Sequence, residues 1–193
     1  MPVKNLKQNS TAIAGCRLYL TKALGVGILS TAQKRGVLKP ADAAIALESM
    51  CMLNKIGEAM GGLPEVKAMT DVTGFGLLGH LAELCEGSNL QAVVEFDKIP
   101  KIESVEEYLD MGCIPGGTVR NWKSYGHKIA PLTEKQKQLL ADPQTSGGLL
   151  IAVDTDNLAA FETILRENGI DEKCIVPIGR LEDRQDGALV RVV

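Results

Sequence analysis

Gly74, Gly76 and Gly79 fall within six residues, in the segment Met69-Thr70-Asp71-Val72-Thr73-Gly74-Phe75-Gly76-Leu77-Leu78-Gly79-His80, and they constrain the fold more than any other feature of the chain. Inside a helix each glycine costs about 1 kcal/mol relative to alanine. Three so close together would make a poor solitary, solvated helix. They make sense where another backbone, or a ligand, approaches too closely for a Cβ. A helix after Asp71 can turn Phe75, Leu78, Ala82 and Cys85 toward a core. Gly76, His80 and Glu83 then line a different face, leaving a shallow strip beside it. The start of such a helix exposes unpaired N–H groups, which attract phosphate or another anion.

Asp71 stands at that entrance, and two roles suit it. As an N-cap it accepts an amide hydrogen bond from Thr73 or Gly74. As a metal ligand it holds Mg²⁺, which neutralises phosphate oxygens. One carboxylate cannot satisfy Mg²⁺ alone, so further ligands must come from outside the segment. A competing pattern overlies the same residues. Gly74 to Gly79 matches G-x-G-x-x-G, and Glu95 lies where a dinucleotide-binding fold carries its ribose-binding acid. Against that, Thr70, Asp71 and Thr73 are polar where a buried parallel strand should be apolar. Asp71 would also repel a pyrophosphate unless a metal intervened.

The second informative segment is Asp142-Pro143-Gln144-Thr145-Ser146-Gly147-Gly148. Pro143 fixes φ and the paired glycines permit a tight turn. Thr145, Ser146 and the successive amides could form an anion nest, or could simply satisfy the turn's own backbone. No phosphate-binding loop ending in Gly-Lys-Ser/Thr is present. His80 and His127 are the two histidines. Neither can be placed in a nucleophile–base pair from its position, and no catalytic residue is assigned in this chain. Lys22 and Arg120 could touch phosphate, but ordinary structural charges explain them more simply.

Along the chain, residues 1–16 are polar and read as a linker or the remnant of an arm, with a domain over residues 17–193. The pattern predicts strands at 17–20, 66–69, 90–96, 149–153 and 174–178, and one at 188–193. Asp186-Gly187 should join the last two as a hairpin. It predicts helices at 28–35, 40–60, 71–85, 104–110, 133–140 and 156–168. In the longest, Ile45, Met52, Ile56 and Ala59 should form a buried stripe. Residues 113–132 show no clear period and read as a long loop with some β character. This alternation predicts an α+β fold, a mixed β-sheet covered by helices.

Composition removes several classes. A formal charge of −3 without a basic cluster argues against direct nucleic-acid binding. The five cysteines form no C-x-x-C pair, and thiols such as Cys51 and Cys85 should be core residues in a reducing compartment. No stretch approaches the roughly 20 apolar residues needed to cross a bilayer. The first residues lack the apolar run of a signal peptide, so no membrane association and a cytoplasmic location are expected.

The two glycine-rich blocks resemble the selenide, water dikinases (selenophosphate synthetases), within the aminoimidazole ribonucleotide synthetase-like ATP-binding family. Leu20-Thr21-Lys22, Leu24 to Leu29 and Ile114-Pro115-Gly116-Gly117-Thr118 with Arg120-Asn121 also match, in family order. The resemblance implies that family's carboxy-terminal domain, built as α/β/α layers. It implies an enzyme that makes selenophosphate, AMP and orthophosphate from selenide, ATP and water, with ATP and Mg²⁺ as cofactors. It carries Asp71 over as a magnesium-associated residue, and Asp71, Thr73, Gly74 and Gly76 as the nucleotide-facing wall. Further magnesium-binding aspartates, a catalytic Cys or selenocysteine and the homodimer contact belong to an amino-terminal domain missing here. Cys16 lacks the glycine-rich setting of that catalytic residue. The isolated chain is therefore expected to be inactive. The alternative is a non-catalytic fragment that self-associates or binds a partner.

Overall fold

The computed structural model describes residues 5–193. Six strands form one mixed sheet, in the order β2-β4-β1-β5-β3-β6. They are β1 (Arg17–Leu20), β2 (Val66–Asp71), β3 (Leu90–Val94), β4 (Leu149–Val153), β5 (Gly179–Asp183) and β6 (Val190–Val192). All neighbours run antiparallel except β3 and β6. Eight α-helices accompany the sheet among the described residues: α1 (Val26–Lys34), α2 (Ile45–Cys51), α3 (Ile56–Gly61), α4 (Gly76–Ser88), α5 (Val105–Asp110), α6 (Gly116–Tyr125), α7 (Glu134–Leu140) and α8 (Leu158–Glu167).

β4 is apolar throughout, and β1 is apolar after Arg17, because both faces are covered there. Leu18, Leu20, Leu150 and Ala152 face one core, with Ile28 and Leu29 of α1, Leu77 and Leu81 of α4, and Tyr108 of α5. Tyr19, Ile151 and Val153 face the other, with Met60 of α3 and Phe161 and Leu165 of α8. The period-two alternation of β1 and β4 thus feeds two separate cores. This is the expected α+β fold, a mixed sheet with helices on both faces. Burying one large side chain contributes about 1.5–3 kcal/mol, so the seven fully buried strand positions named here and their helix partners hold the layers together. Residues 5–16 lie along β2 and the end of α4. The Met69 amide donates to Gln8 O (3.1 Å), Thr11 Oγ1 to Lys67 O (2.6 Å) and the Ala12 amide to Ser88 Oγ (3.1 Å).

Several local expectations need correction. The helix read over 40–60 is a 3₁₀ turn at Pro40–Asp42, then α2, then α3. The Lys22 ammonium causes the break, donating to Ser49 O (3.1 Å) and Met52 O (2.7 Å) and so taking the carbonyls at the end of α2. Met52 is consequently 53% exposed, Ala59 and Cys51 also face outward, and of the predicted stripe Ile56 alone is fully buried. Residues 113–132 contain α6. Its inward face is Thr118, Asn121 and Tyr125, correctly spaced for a helix but too polar to register as a hydrophobic stripe. Residues 172–174 form a 3₁₀ turn, and the last strands do not make a hairpin. β3 lies between β5 and β6, pairing antiparallel with one and parallel with the other. Asp186-Gly187 still turns the chain, with Gly187 at φ 104°, but around an inserted strand.

The dinucleotide-binding alternative is overturned by topology. β2, α4 and β3 would have to form a unit of adjacent parallel strands, yet among the described residues β2 pairs with the antiparallel β4 alone, and β3 lies four positions away. Glu95 instead pairs with Lys98 at 2.7 Å.

Candidate functional site

Four segments converge at one end of the sheet: residues 21–27, 71–80, 115–121 and 142–148. Each is tied to another by backbone or buried side-chain hydrogen bonds. The Val72 amide donates to Gly148 O (2.8 Å) and the Gln144 amide to Thr73 O (3.0 Å), extending the β2–β4 pairing beyond Asp71 and Leu149. Asn121 Nδ2 donates to Gly74 O (2.8 Å) and Ala141 O (3.0 Å), locking α6 onto both glycine-rich segments. Gly148 is required because a Cβ there would lie 2.4 Å from the Lys22 backbone nitrogen. Tertiary hydrogen bonds, more than local propensity, build this end of the molecule.

Asp71 is the last residue of β2 and is exposed. It does not cap α4. That helix begins at Gly76, with Phe75 in the N-cap position and no capping side-chain hydrogen bond. The Thr73 amide, a donor to Asp71 in the cap reading, donates instead to His80 Nε2 at 3.1 Å. The Asp71 carboxylate has no hydrogen bond or ion pair among the described residues, while the neighbouring Thr70 hydroxyl, Thr73 amide and Gly74 carbonyl are each engaged. Gly74 is exposed, and a Cβ there would meet nothing within 4 Å. Thr73 is half-buried between them.

Gly76 faces the interior. Its φ is +68°, a Cβ would lie 2.8–3.0 Å from backbone atoms of Leu140, Ala141 and Asp142, and its amide donates to Thr73 O at 3.0 Å. Gly76 therefore shapes the wall from behind and offers no free amide to a ligand. Phe75, expected in the core, is 56% exposed and leans against the His80 ring, with centroids 5.9 Å apart. The left-handed turn at Gly76 rotates it outward.

The Asp142 segment divides in two: Asp142 and Gln144 turn inward, while Thr145 and Ser146, the residues of the possible anion nest, stay exposed with Ser146 at φ 51°. Asp142 is fully buried, and its Oδ2 accepts from the Gly27 amide (3.1 Å) and Gln144 Nε2 (2.8 Å). Gln144 Oε1 accepts from the amides of Gly25 and Val26, each at 3.3 Å. These two side chains supply the cap that α1 lacks locally. Burial pushes the Asp142 carboxyl up to about 7, against the opposing pull of those hydrogen bonds. Sequence reasoning missed this pairing because residues 25–27 and 142–144 are far apart in the chain. The available clue was Gly25-Val26-Gly27, a helix entrance without its own capping side chain.

Lys22 is likewise structural. Only 6% exposed, it donates to Ser146 O (2.7 Å) as well as to the α2 carbonyls, and burial lowers its pKa. His80 is buried, and desolvation lowers its pKa despite the opposing fields of Glu83 and Asp71. His127 and Arg120 are exposed and outside this cluster of hydrogen bonds. Cys16 is 1% exposed and burial raises its pKa, the opposite of an activated thiolate. Among the described residues no group of three or more His, Cys, Asp or Glu side chains could hold a metal ion. The exposed Asp71 carboxylate is a hard oxygen donor of the kind a divalent cation takes, a single ligand and not a site by itself. No helix among the described residues is long and apolar enough to cross a membrane.

Comparison with known proteins gives a consistent picture. The family model described as AIR synthase related protein, C-terminal domain, matches residues 14–192. A selenide, water dikinase of Pseudomonas aeruginosa is 55% identical over 184 residues, covering 95% of this chain and 53% of the relative. One from Haemophilus influenzae is 50% identical over 187 residues, covering 97% and 53%. The chain thus spans about half the length of the curated relatives it matches. In fold it is similar to a thiamine-monophosphate kinase from Stenotrophomonas maltophilia, with a TM-score of 0.67, 18% identity, and coverage of 96% of this chain and 52% of that one. It also resembles the hydrogenase maturation protein HypE in complex with ATP, with a TM-score of 0.63, 20% identity, and coverage of 95% and 47%.

Proposed function

We propose a function from one premise: the chain belongs to the AIR synthase related family, as its C-terminal domain. It is the carboxy-terminal part of a selenide, water dikinase, which converts selenide, ATP and water to selenophosphate, AMP and orthophosphate. Residues 1–16 are the connecting arm, residues 17–193 the domain, and an amino-terminal domain supplies the remaining machinery and the homodimer contact. The complete enzyme works in the cytoplasm.

The observation that carries this reading is Asp71. A carboxylate without a protein partner among the described residues projects from a rigid strand end, beside a glycine that leaves the adjacent space open. An unpaired exposed carboxylate needs no special explanation on a mobile loop. Here its backbone is held by β2–β4 pairing and by the bonds that fix Val72 and Thr73. Such preorganisation is what charge stabilisation in phosphoryl transfer requires. Mg²⁺, when bound, would neutralise the triphosphate and stabilise the phosphoryl groups in transfer. Asp71 would provide one of its oxygens. Thr73 and Gly74 would border the nucleotide, and Gly76 would keep that border in place against α7.

In the complete protein, Asp71→Asn should abolish nucleotide turnover while the thermal midpoint of the chain stays close to wild type. Full activity in the Asn variant would remove Asp71 from the mechanism. The isolated chain should show no turnover, and adding the upstream half should restore it.

A further inference from the structure

We propose that His80 is a positioning residue, whose unprotonated Nε2 holds Thr73 and thereby sets the direction in which Asp71 and Gly74 face their ligand. This rests on the reading of Asp71 given above. The Thr73 backbone N–H lies 3.1 Å from His80 Nε2, and the Thr73 hydroxyl is also 3.1 Å away. A backbone N–H can only donate, so Nε2 carries no proton. The neutral ring therefore has its proton on Nδ1. That nitrogen is buried without a hydrogen-bond partner, and Glu83 Oε2 stands 3.8 Å from it on a side chain that is 59% exposed. A small swing of Glu83, or one bridging water, would let it accept the Nδ1–H and fix the tautomer.

The consequence falls on Thr73. Its carbonyl accepts from the amides of Gly76 and Gln144, each at 3.0 Å, and its amide is held by His80. Thr73 is thus clamped through both backbone groups, two residues after Asp71 and one before Gly74. The imidazole reaches it from the first turns of α4, so the helix and the end of β2 move as one body. A protonated Nε2 would face the Thr73 N–H donor to donor and release the clamp. No other side chain among the described residues accepts that amide.

Nitrogen-15 NMR of the imidazoles tests the tautomer directly, because His80 and His127 are the only histidines and His127→Gln removes one of the two signals. His80 should show a protonated Nδ1 and a bare Nε2 at neutral pH. A proton on Nε2 overturns the proposal. The functional arm uses the complete protein. His80→Leu should raise the Mg²⁺ concentration for half-maximal turnover by roughly tenfold or more, as losing an outer-shell partner does. His80→Gln, which can place an acceptor oxygen near the former Nε2, should recover most of that loss. If Asp71→Asn abolishes turnover but His80→Leu leaves the Mg²⁺ dependence unchanged, the positioning role fails and the role of Asp71 stands. If Asp71→Asn has no effect, the reading of the site fails whatever the tautomer. Should the Leu variant not fold, the tautomer and the Gln variant decide: equal Mg²⁺ dependence in Gln and wild type supports the clamp, and a loss in Gln as large as in His80→Ala refutes it.

Discussion

Substituting three glycines by alanine separates the two reasons a chain keeps glycine. At Gly74 the backbone is not left-handed and a Cβ meets nothing within 4 Å. Gly36 has φ +70° but equally open surroundings. Gly76 combines φ +68° with backbone atoms of residues 140–142 at 2.8–3.0 Å from a Cβ. A left-handed alanine costs about 1–2 kcal/mol, partly offset by about 0.4–1 kcal/mol from a stiffer unfolded chain. Gly36→Ala should therefore destabilise by about 0.5–1 kcal/mol, and Gly74→Ala should be neutral or slightly stabilising. Gly76→Ala adds about 1–3 kcal/mol for displacing packed backbone, a total near 3 kcal/mol. At 2–4 °C per kcal/mol for a chain of this size, its thermal midpoint should fall by roughly 6–12 °C. Urea and thermal unfolding of the three variants supply the measurement. If Gly76→Ala loses no more stability than Gly36→Ala, the packing of Gly76 on the end of α7 does not constrain the fold. Function should separate in the opposite sense. In the complete protein Gly74→Ala should impair turnover at unchanged stability, because the new methyl intrudes on the side left open for a ligand.

Two further outcomes concern buried charges. With its folded pKa pushed up to about 7 from 3.8, Asp142 holds a proton in the native chain that the unfolded chain has already released. Stability should therefore fall as pH rises from about 4 to about 7 and level off above. The full shift, already net of the α1 amide bonds that oppose it, corresponds to about 4 kcal/mol at most. Asp142→Asn should flatten that slope in urea titrations at several pH values; an unchanged slope would assign it to other groups. Lys22→Met should leave three carbonyls without their donor, at a cost of roughly 1–3 kcal/mol. Hydrogen exchange should then quicken selectively over residues 45–56, and uniform quickening along the chain would show that Lys22 does not act locally.

The strands at 17–20, 90–94 and 149–153 were legible in the chain because each is a short, mainly apolar run; β2 was legible only as far as Met69, its polar end being held in the sheet by pairing with β4. The α7 cap was legible too: Thr133 Oγ1 accepts the Gln136 amide at 3.3 Å, and the Gln136 side chain returns to the Thr133 amide at 2.9 Å. Both signals lie within a few residues of the structure they specify. The glycine cluster also announced a close approach, although it could not say to what. For Gly76 the answer is a neighbouring backbone, while Gly74 is open to a ligand.

What the chain alone could not reveal depends on partners distant in sequence. Lys22 ends α2 from about thirty residues away, and Asp142 and Gln144 cap α1 from more than a hundred. β3 enters between β5 and β6 and undoes a hairpin that its turn residues favour. Local composition determined where the chain could extend, coil or bend. The assembled layers decided which buried polar groups found partners, and among the described residues they left the exposed Asp71 carboxylate without one, since most buried donors and acceptors are satisfied wherever their partner lies while an exposed one need not be.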